Sequence, residues 1–226
     1  MMPASVAFVV PVLNEEERIY SLLQQLQHRY PQSELIVVDG GSSDSTVPNA
    51  LPLCTRLLVG QRGRALQMNL GGRTSTADYL CFLHADSLPG VSDGELQHYL
   101  AQAPAWGFCR VRLSGGSAMF RVIEWFMNWR SRITAVATGD QMIFMQRALF
   151  VSSGGFDSIP LMEDVALCKR LRRMARPLVI AEPVVVSSRR WEQRGVIRTV
   201  LAMWALRLGY FVGVTPQRLW QHYYGR

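Results

Sequence analysis

Four apolar, strand-like runs in the chain lead into acidic or amide-acid groups: Asn14-Glu15 beyond SVAFVVPVL, Asp39 after ELIVV, Asp86 after YLCFLHA, and Glu163-Asp164 after the turn-rich GGFDSIPLM. In an open parallel α/β sheet, groups at the carboxyl ends of strands converge on one crevice, where they can receive a nucleotide, a metal and a reacting hydroxyl together. Asp39, set before a glycine turn, can accept hydrogen bonds from a nucleobase or ribose. Asp86 offers the oxygen ligand that a hard divalent cation prefers beside a diphosphate. Arg62, Arg64 and Gln67 supply donors, and the planar arginine fork suits phosphate oxygens. Each group also has a plainer reading. Asp-Gly-Gly-Ser-Ser is a good turn sequence, NEE can simply start a helix, Glu163-Asp164 can be first-turn acids, and the arginines can be solvated.

The elements that must position these groups alternate. Ser5 to Val12 reads as a buried strand, and Glu15 to Tyr30 as a helix with Ile19, Leu22, Leu26 and Tyr30 on one side. ELIVVD is a second strand, followed by a turn in which Ser42, Ser43 or Asp44 can cap a short helix. TRLLVG is a third strand, Ala65 to Gly72 a helix, and YLCFLHAD a fourth strand. This alternation predicts an α/β domain with a mainly parallel mixed sheet flanked by helices. In the second half, WGFCRVRL reads as a strand and SAMFRVIEWFMNWRSR as a helix offering Phe120, Ile123 and Met127, with Trp106 or Trp129, to an apolar surface. GDQMIFMQRALFVSSGGF joins a strand to a short helix, and Glu163 to Met174 is a helix whose Val165, Cys168 and Leu171 share a face.

At 226 residues and 49% hydrophobic, the chain can bury a substantial core. It divides into a domain over residues 1–195 and a helical extension over 196–226. Arg198, Arg207, Gly209 and Gly213 interrupt the extension's apolar run, which favours packing on the domain or on another subunit, or lying on a membrane surface, over crossing a bilayer. The formal charge of +7 favours anionic partners. Nucleic acid is disfavoured, since no paired-cysteine metal site or recognition-helix pattern accompanies that charge. A nicotinamide enzyme is disfavoured too, because the first strand lacks a GxGxxG connection. Cys54, Cys81, Cys109 and Cys168 are scattered, as free thiols in a reduced compartment would be. The opening MMPASVAFVVPV lacks a basic region, so the expected residence is cytoplasmic, with contact at the inner face of the cell membrane left open.

Taken together, PVLNEEE, VDGGSSDST, LHAD, GDQ, MED and RRW resemble, in order, the motifs of the family 2 glycosyltransferases, whose GT-A fold is a nucleotide-sugar-binding α/β domain. More narrowly, GRALQMNLG, FLHADS, GDQ, IPLMEDV and SSRRWEQRG resemble a small bacterial subgroup of such enzymes. The resemblance implies that Pro11, Asn14 and Glu15 shape the nucleotide pocket and that GRALQMNLG contacts the nucleotide or the sugar-proximal phosphate. It implies metal binding at Asp86, with His84 standing where the family usually has another acid. Histidine suits manganese better than magnesium, so the expected cofactor is Mn2+ or Mg2+ with His84 as a second candidate ligand. Asp140 and Gln141 fall on the acceptor side. Asp164 takes the part of general base, with Glu163 orienting the acceptor or bracing the loop. Arg190 and Trp191 close over the donor, and Arg189 competes with Arg190 for the position facing the site.

The activity so implied is inverting sugar transfer from a nucleotide-diphosphate sugar, a uridine donor first, to a sugar, lipid or small-molecule hydroxyl. Two alternatives stand beside it: a sugar-phosphate nucleotidyltransferase, and a nucleotide-sugar-binding scaffold without turnover. Homo-oligomerisation is left open.

Overall fold

The computed structural model describes residues 3–189, 192 and 195–225. Among these residues the β-branched runs form an eight-stranded sheet. Its strands are β1 (Val6–Val12), β2 (Glu34–Asp39), β3 (Arg56–Val59), β4 (Tyr79–Phe82), β5 (Ser87–Pro89), β6 (Trp106–Leu113), β7 (Ile143–Gln146) and β8 (Leu178–Val186), in the order β3-β2-β1-β4-β7-β6-β8-β5. The pairs β1-β2, β1-β4, β2-β3 and β6-β8 are parallel. β7 runs antiparallel to both β4 and β6, and β5 antiparallel to β8. The parallel half is the nucleotide-binding type of arrangement, and the β4-β7 boundary is where the strand direction reverses.

Because both faces of the sheet are covered, the central strands carry apolar side chains at every position rather than at alternate ones. Val6, Phe8, Val10 and Val12 of β1 face a core shared with α1 (Ile19–Arg29), while Ala7 and Val9 face the opposite core. Ile19, Leu22, Leu23 and Leu26 repeat at helical spacing and bury the inner stripe of α1. On the other face lie α3 (Arg64–Thr74), α6 (Arg147–Ser152) and α7 (Glu163–Leu171). Helix α3 comes close because position 71 is glycine: a Cβ there would stand 2.4 Å from Val9 Cγ1. Trp106 is fully buried in β6 and its Nε1 donates to the Ala175 carbonyl at 2.8 Å. Burial of a side chain of this size contributes roughly 3 kcal/mol.

Several expectations need adjustment. The first helix begins at Ile19 rather than Glu15, because the backbone turns at Asn14 (φ 54°) and continues as a loop. Helix α2 (Thr46–Ala50) is capped from Asp44, whose Oδ1 accepts the Thr46 N–H at 3.0 Å. Helices α4 (Asp93–Leu100) and α5 (Ala118–Thr134) pack on the α1 side. Trp129 of α5 points outward, 53% exposed. The C-terminal segment forms α8 (Val196–Phe211) and α9 (Pro216–Tyr224) and packs inward on the domain. Val196, Val200 and Met203 meet the α1-side core, and Leu206, Tyr210, Leu219 and Tyr223 the α3-side core. No described helix is long and apolar enough to cross a membrane. All four cysteines are free, and burial pushes the Cys81 and Cys168 thiols up to about 12.

Candidate active site

The loops that leave β1 and β2 are laced together by polar side chains. Asn14 donates its N–H to Ser42 Oγ at 2.9 Å, and its Oδ1 accepts the Ser43 N–H at 2.9 Å. Glu15 donates its N–H to Thr46 Oγ1 at 2.7 Å, and Glu16 Oε2 accepts the Ser45 N–H at 2.9 Å. Asp39, 2% exposed, accepts from the Gly41 and Ser42 amides and from the Ser42 hydroxyl. The turn reading of Asp39 is therefore realised, and it holds the carboxylate rigid at the end of β2. Pro11 lies within β1 in register with Val38. Burial pushes the Glu15 carboxyl above its ordinary range; Arg18, 3.1 Å away, opposes this, and Asp86 adds to it.

Beyond the end of β4, Asp86 Oδ1 accepts the Ser87 hydroxyl at 3.1 Å and its carbonyl accepts the Ser187 N–H at 3.2 Å. His84 Nδ1 faces Asp140 Oδ1 at 3.9 Å, too far for a hydrogen bond. The Cε1–Nε2 edge of the ring lies against Gly139, where an added Cβ would stand 2.4 Å from either atom. Burial, and then the Arg64 charge, push the imidazole below its ordinary value, while Asp140, Asp86 and Asp164 pull it up. Burial also raises the Asp140 carboxyl, with His84 opposing and Asp86 and Asp164 adding to the rise.

The third contribution comes from the start of α7. Asp164 Oδ2 accepts the Gly139 N–H at 2.8 Å, and its Oδ1 accepts the Val165 N–H at 2.7 Å, which leaves each oxygen a further lone pair. Glu163 is buried, pairs through Oε1 with Arg64 Nε at 3.0 Å, and has no partner for its buried Oε2. Burial pushes the Glu163 carboxyl up to about 7, with Arg64 opposing and Asp164 adding. The Arg64 side chain remains 43% exposed, so its guanidinium can reach a ligand as well. Phe82, His84, Gly139, Phe156, Glu163 and Asp164 line a small cleft here.

Sequence reasoning missed Arg130 of α5. Its Nε is buried without a partner and it feels the charges of Asp164 and Asp140, while burial lowers its pKa. Nothing in the local sequence signals this, because it depends on where α5 crosses the Gly139–Gln141 turn. The C-terminal helices reach the same region. Tyr224 lies within electrostatic range of Arg64, and Tyr210 within range of Asp157 and Asp164. Lys169 of α7 sits over the Tyr210 and Phe211 rings, 4.6 and 4.2 Å from their centroids.

Two of the expected ligand-side residues make internal hydrogen bonds here. Gln67 is 3% exposed and spends both amide hydrogens, on the Val12 and Val38 carbonyls at 2.8 Å each, so it braces the ends of β1 and β2. Gln141 has no accessible surface; its Oε1 accepts from Ser131 Oγ at 2.7 Å and its Nε2 donates to the Cys109 carbonyl at 3.3 Å. It shapes the turn that presents Asp140. Arg62 is exposed at the mouth of the loop before α3. Arg189 pairs with Glu17 on the surface at 3.1 Å. Arg190 and Trp191 lie outside the described residues.

No three His, Cys, Asp or Glu side chains among the described residues converge as a protein-only metal cage. The chemistry of the donor set nevertheless fits an ion that takes most of its oxygens from a diphosphate and water, since such an ion needs only one or two carboxylates from the protein. Asp86 suits that part. His84 does not present a free nitrogen as plainly, with one edge against Gly139 and the other toward Asp140.

This convergence of strand-end acids, an arginine and a glycine turn can be set beside known proteins. The family described as glycosyl transferase family 2 matches residues 7–147, well over half of the 226 residues. The chain belongs to glycosyl transferase family 2. The match takes in the laced loops, Asp86 and Asp140, while Glu163 and Asp164 fall beyond it. Among solved structures, S. aureus TarS 1–349 in complex with UDP is similar with a TM-score of 0.65 at 18% identity, over 81% of this chain and 60% of that one. The mannosyltransferase PcManGT from Pyrobaculum calidifontis, in complex with GDP-Man and Mn2+, is similar with a TM-score of 0.64 at 23% identity, over 83% of this chain and 57% of that one. These likenesses show a GT-A-like fold, and the chain spans about three fifths of the length of those two proteins. No curated protein matches the chain.

Proposed function

We propose that the protein transfers a sugar, with inversion, from a nucleotide-diphosphate sugar to an acceptor hydroxyl. The observation that carries this reading is Asp164, held by the Gly139 amide at 2.8 Å in a cleft it shares with His84 and Glu163. The nucleoside binds against Asn14, Glu15 and Asp39, and the UDP complex of TarS supports uridine as the first base to test. The acceptor lies between Asp140 and α7. Asp164 takes the hydroxyl proton as that oxygen attacks the anomeric carbon from the side opposite the diphosphate. The bond from that carbon to the phosphate oxygen breaks, and its electron pair leaves with the diphosphate. Arg64, with Arg62 at the loop mouth, stabilises the charge that grows there. Glu163 holds Arg64 in place through its Oε1 and offers Oε2 to the acceptor. A Mn2+ or Mg2+ ion would be held by Asp86 and would neutralise diphosphate charge. Arg190 and Trp191 are proposed, on sequence resemblance alone, to cover the bound donor.

Thermal melting with UDP- and GDP-sugars, with and without Mn2+ or Mg2+, tests the donor half. A rise in Tm of several degrees that is selective for one base and lost in Asp86→Asn is expected. No selective rise under either metal rejects the donor assignment. Proton NMR of the product reads the anomeric configuration, and retention rejects inversion.

A further inference from the structure

Helices α5 and α8 carry apolar stripes on the wrong side for a protein surrounded only by water. On α5, Met119, Val122, Phe126, Trp129 and Ile133 are 50–63% exposed and follow one another at spacings of three and four, with Trp125 (59%) beside them. Trp125 and Trp129 stack with centroids 6.0 Å apart and planes at 12°, which builds a continuous aromatic face. On α8, Ile197, Leu201, Trp204 and Leu208 are 63–71% exposed at the same helical spacing. The inner faces of both helices are already satisfied. Phe120, Ile123 and Met127 of α5 and Val196, Val200 and Met203 of α8 pack on the same core.

The charges flanking these stripes have one sign. Helix α5 carries Arg121 and Arg132 at exposed positions, with Arg130 turned toward the pocket, against a lone acid, Glu124, which Arg121 neutralises at 2.9 Å. Residues 196–226 carry Arg198, Arg207, Arg218 and Arg226 and no acid at all. An occupant of this face must therefore be apolar in its depth and anionic at its rim. A second copy of the chain meets the first requirement but brings arginines against arginines. An anionic phospholipid leaflet meets both, and neither helix qualifies to cross it.

We propose that α5 and α8 form a peripheral membrane-binding surface. Their tryptophan-bearing stripes enter the boundary between headgroups and acyl chains, and the arginines meet lipid phosphates. The stripes lie on the exposed sides of these helices and use none of the cleft-lining residues, so binding to vesicles without nucleotide sugar tests the proposal independently of the transferase reading.

The test is co-sedimentation of the full chain, without nucleotide sugar, with vesicles of phosphatidylcholine alone or mixed with phosphatidylglycerol. Partitioning is expected to rise with phosphatidylglycerol and fall with salt. It should drop about tenfold or more in the triple variant Trp125→Ser, Trp129→Ser, Trp204→Ser, as expected from lost apolar insertion. Arg132→Gln with Arg198→Gln should lose the dependence on anionic lipid while keeping the wild-type Tm. Quenching of wild-type tryptophan fluorescence by brominated acyl chains provides a readout free of any folding defect in the variants. Failure to pellet with anionic vesicles at low salt overturns the proposal. So does pelleting unaffected by the tryptophan changes, or a lipid-free dimer that hides these tryptophans from an aqueous quencher.

Discussion

Around Asn14 and Asp39 the polar groups find their partners inside the protein: serine and threonine hydroxyls, backbone amides and carboxylates close on one another across two loops. Around Glu163 and Arg130 they do not. Glu163 Oε2 and Arg130 Nε are buried without partners. Such unmet groups cost on the order of 1–3 kcal/mol each. The loops after β1 and β2 are thus internally satisfied, whereas the pocket at the start of α7 keeps unspent hydrogen-bonding capacity. Under the proposed transferase reading, a preformed grip at one end and an unsatisfied pocket at the other suit ordered binding, nucleotide first.

The sharpest way to break this contrast is Asp164→Asn. The variant should keep its donor-induced rise in Tm while transfer falls about 1,000-fold, the scale of a lost general base. Comparable turnover would falsify the assignment of the base. Next in size is the Glu163 titration. Its carboxyl is pushed from 4.5 to about 7 in the folded state, so the native protein holds that proton more tightly than the unfolded chain. Its contribution is fully present below about pH 4.5 and is lost as pH rises through 7, on the order of 3 kcal/mol in all. Denaturant unfolding between pH 4.5 and 8 should show this fall, and Glu163→Gln should flatten it; an unchanged slope in the variant would assign the fall to other groups. The smallest effect is expected from Glu17→Gln. The Arg189–Glu17 pair is 55% and 72% exposed at its two side chains, and its loss should change stability by no more than about 0.5 kcal/mol. A larger loss would mean that the loops after β1 and β2 depend on this surface pair as well as on their internal bonds.

The parallel half of the sheet was legible because buried strands write themselves as runs such as VAFVVPV and ELIVVD, bounded by turn residues. β8 was not, since LVIAEPVVV is broken by Glu182-Pro183 and reads as no regular strand. The structure accommodates the break with a register shift opposite Cys109 and Val111, and the Pro183 carbonyl accepts the Gly90 N–H. Helix α4 carried a readable signal, the Ser92–Glu95 capping box, that went unused. Within the site, acids could be nominated from their places beyond strand ends. The roles of Gln67 and Gln141 could not be read, because a glutamine that braces two carbonyls and one that reaches a ligand look the same until burial is known. Arg130 was hidden for another reason: its significance comes from how α5 lies against the Gly139–Gln141 turn and the start of α7, which the sequence does not show.

Gly139 sits where the His84 ring leaves no room for a Cβ, whereas a Cβ at Gly94 or Gly116 would meet nothing within 4 Å. In a library randomised at all three positions and selected for turnover, sites 94 and 116 should fill with many residue types. Site 139 should return one letter, and its invariance would record the width of a gap between two loops.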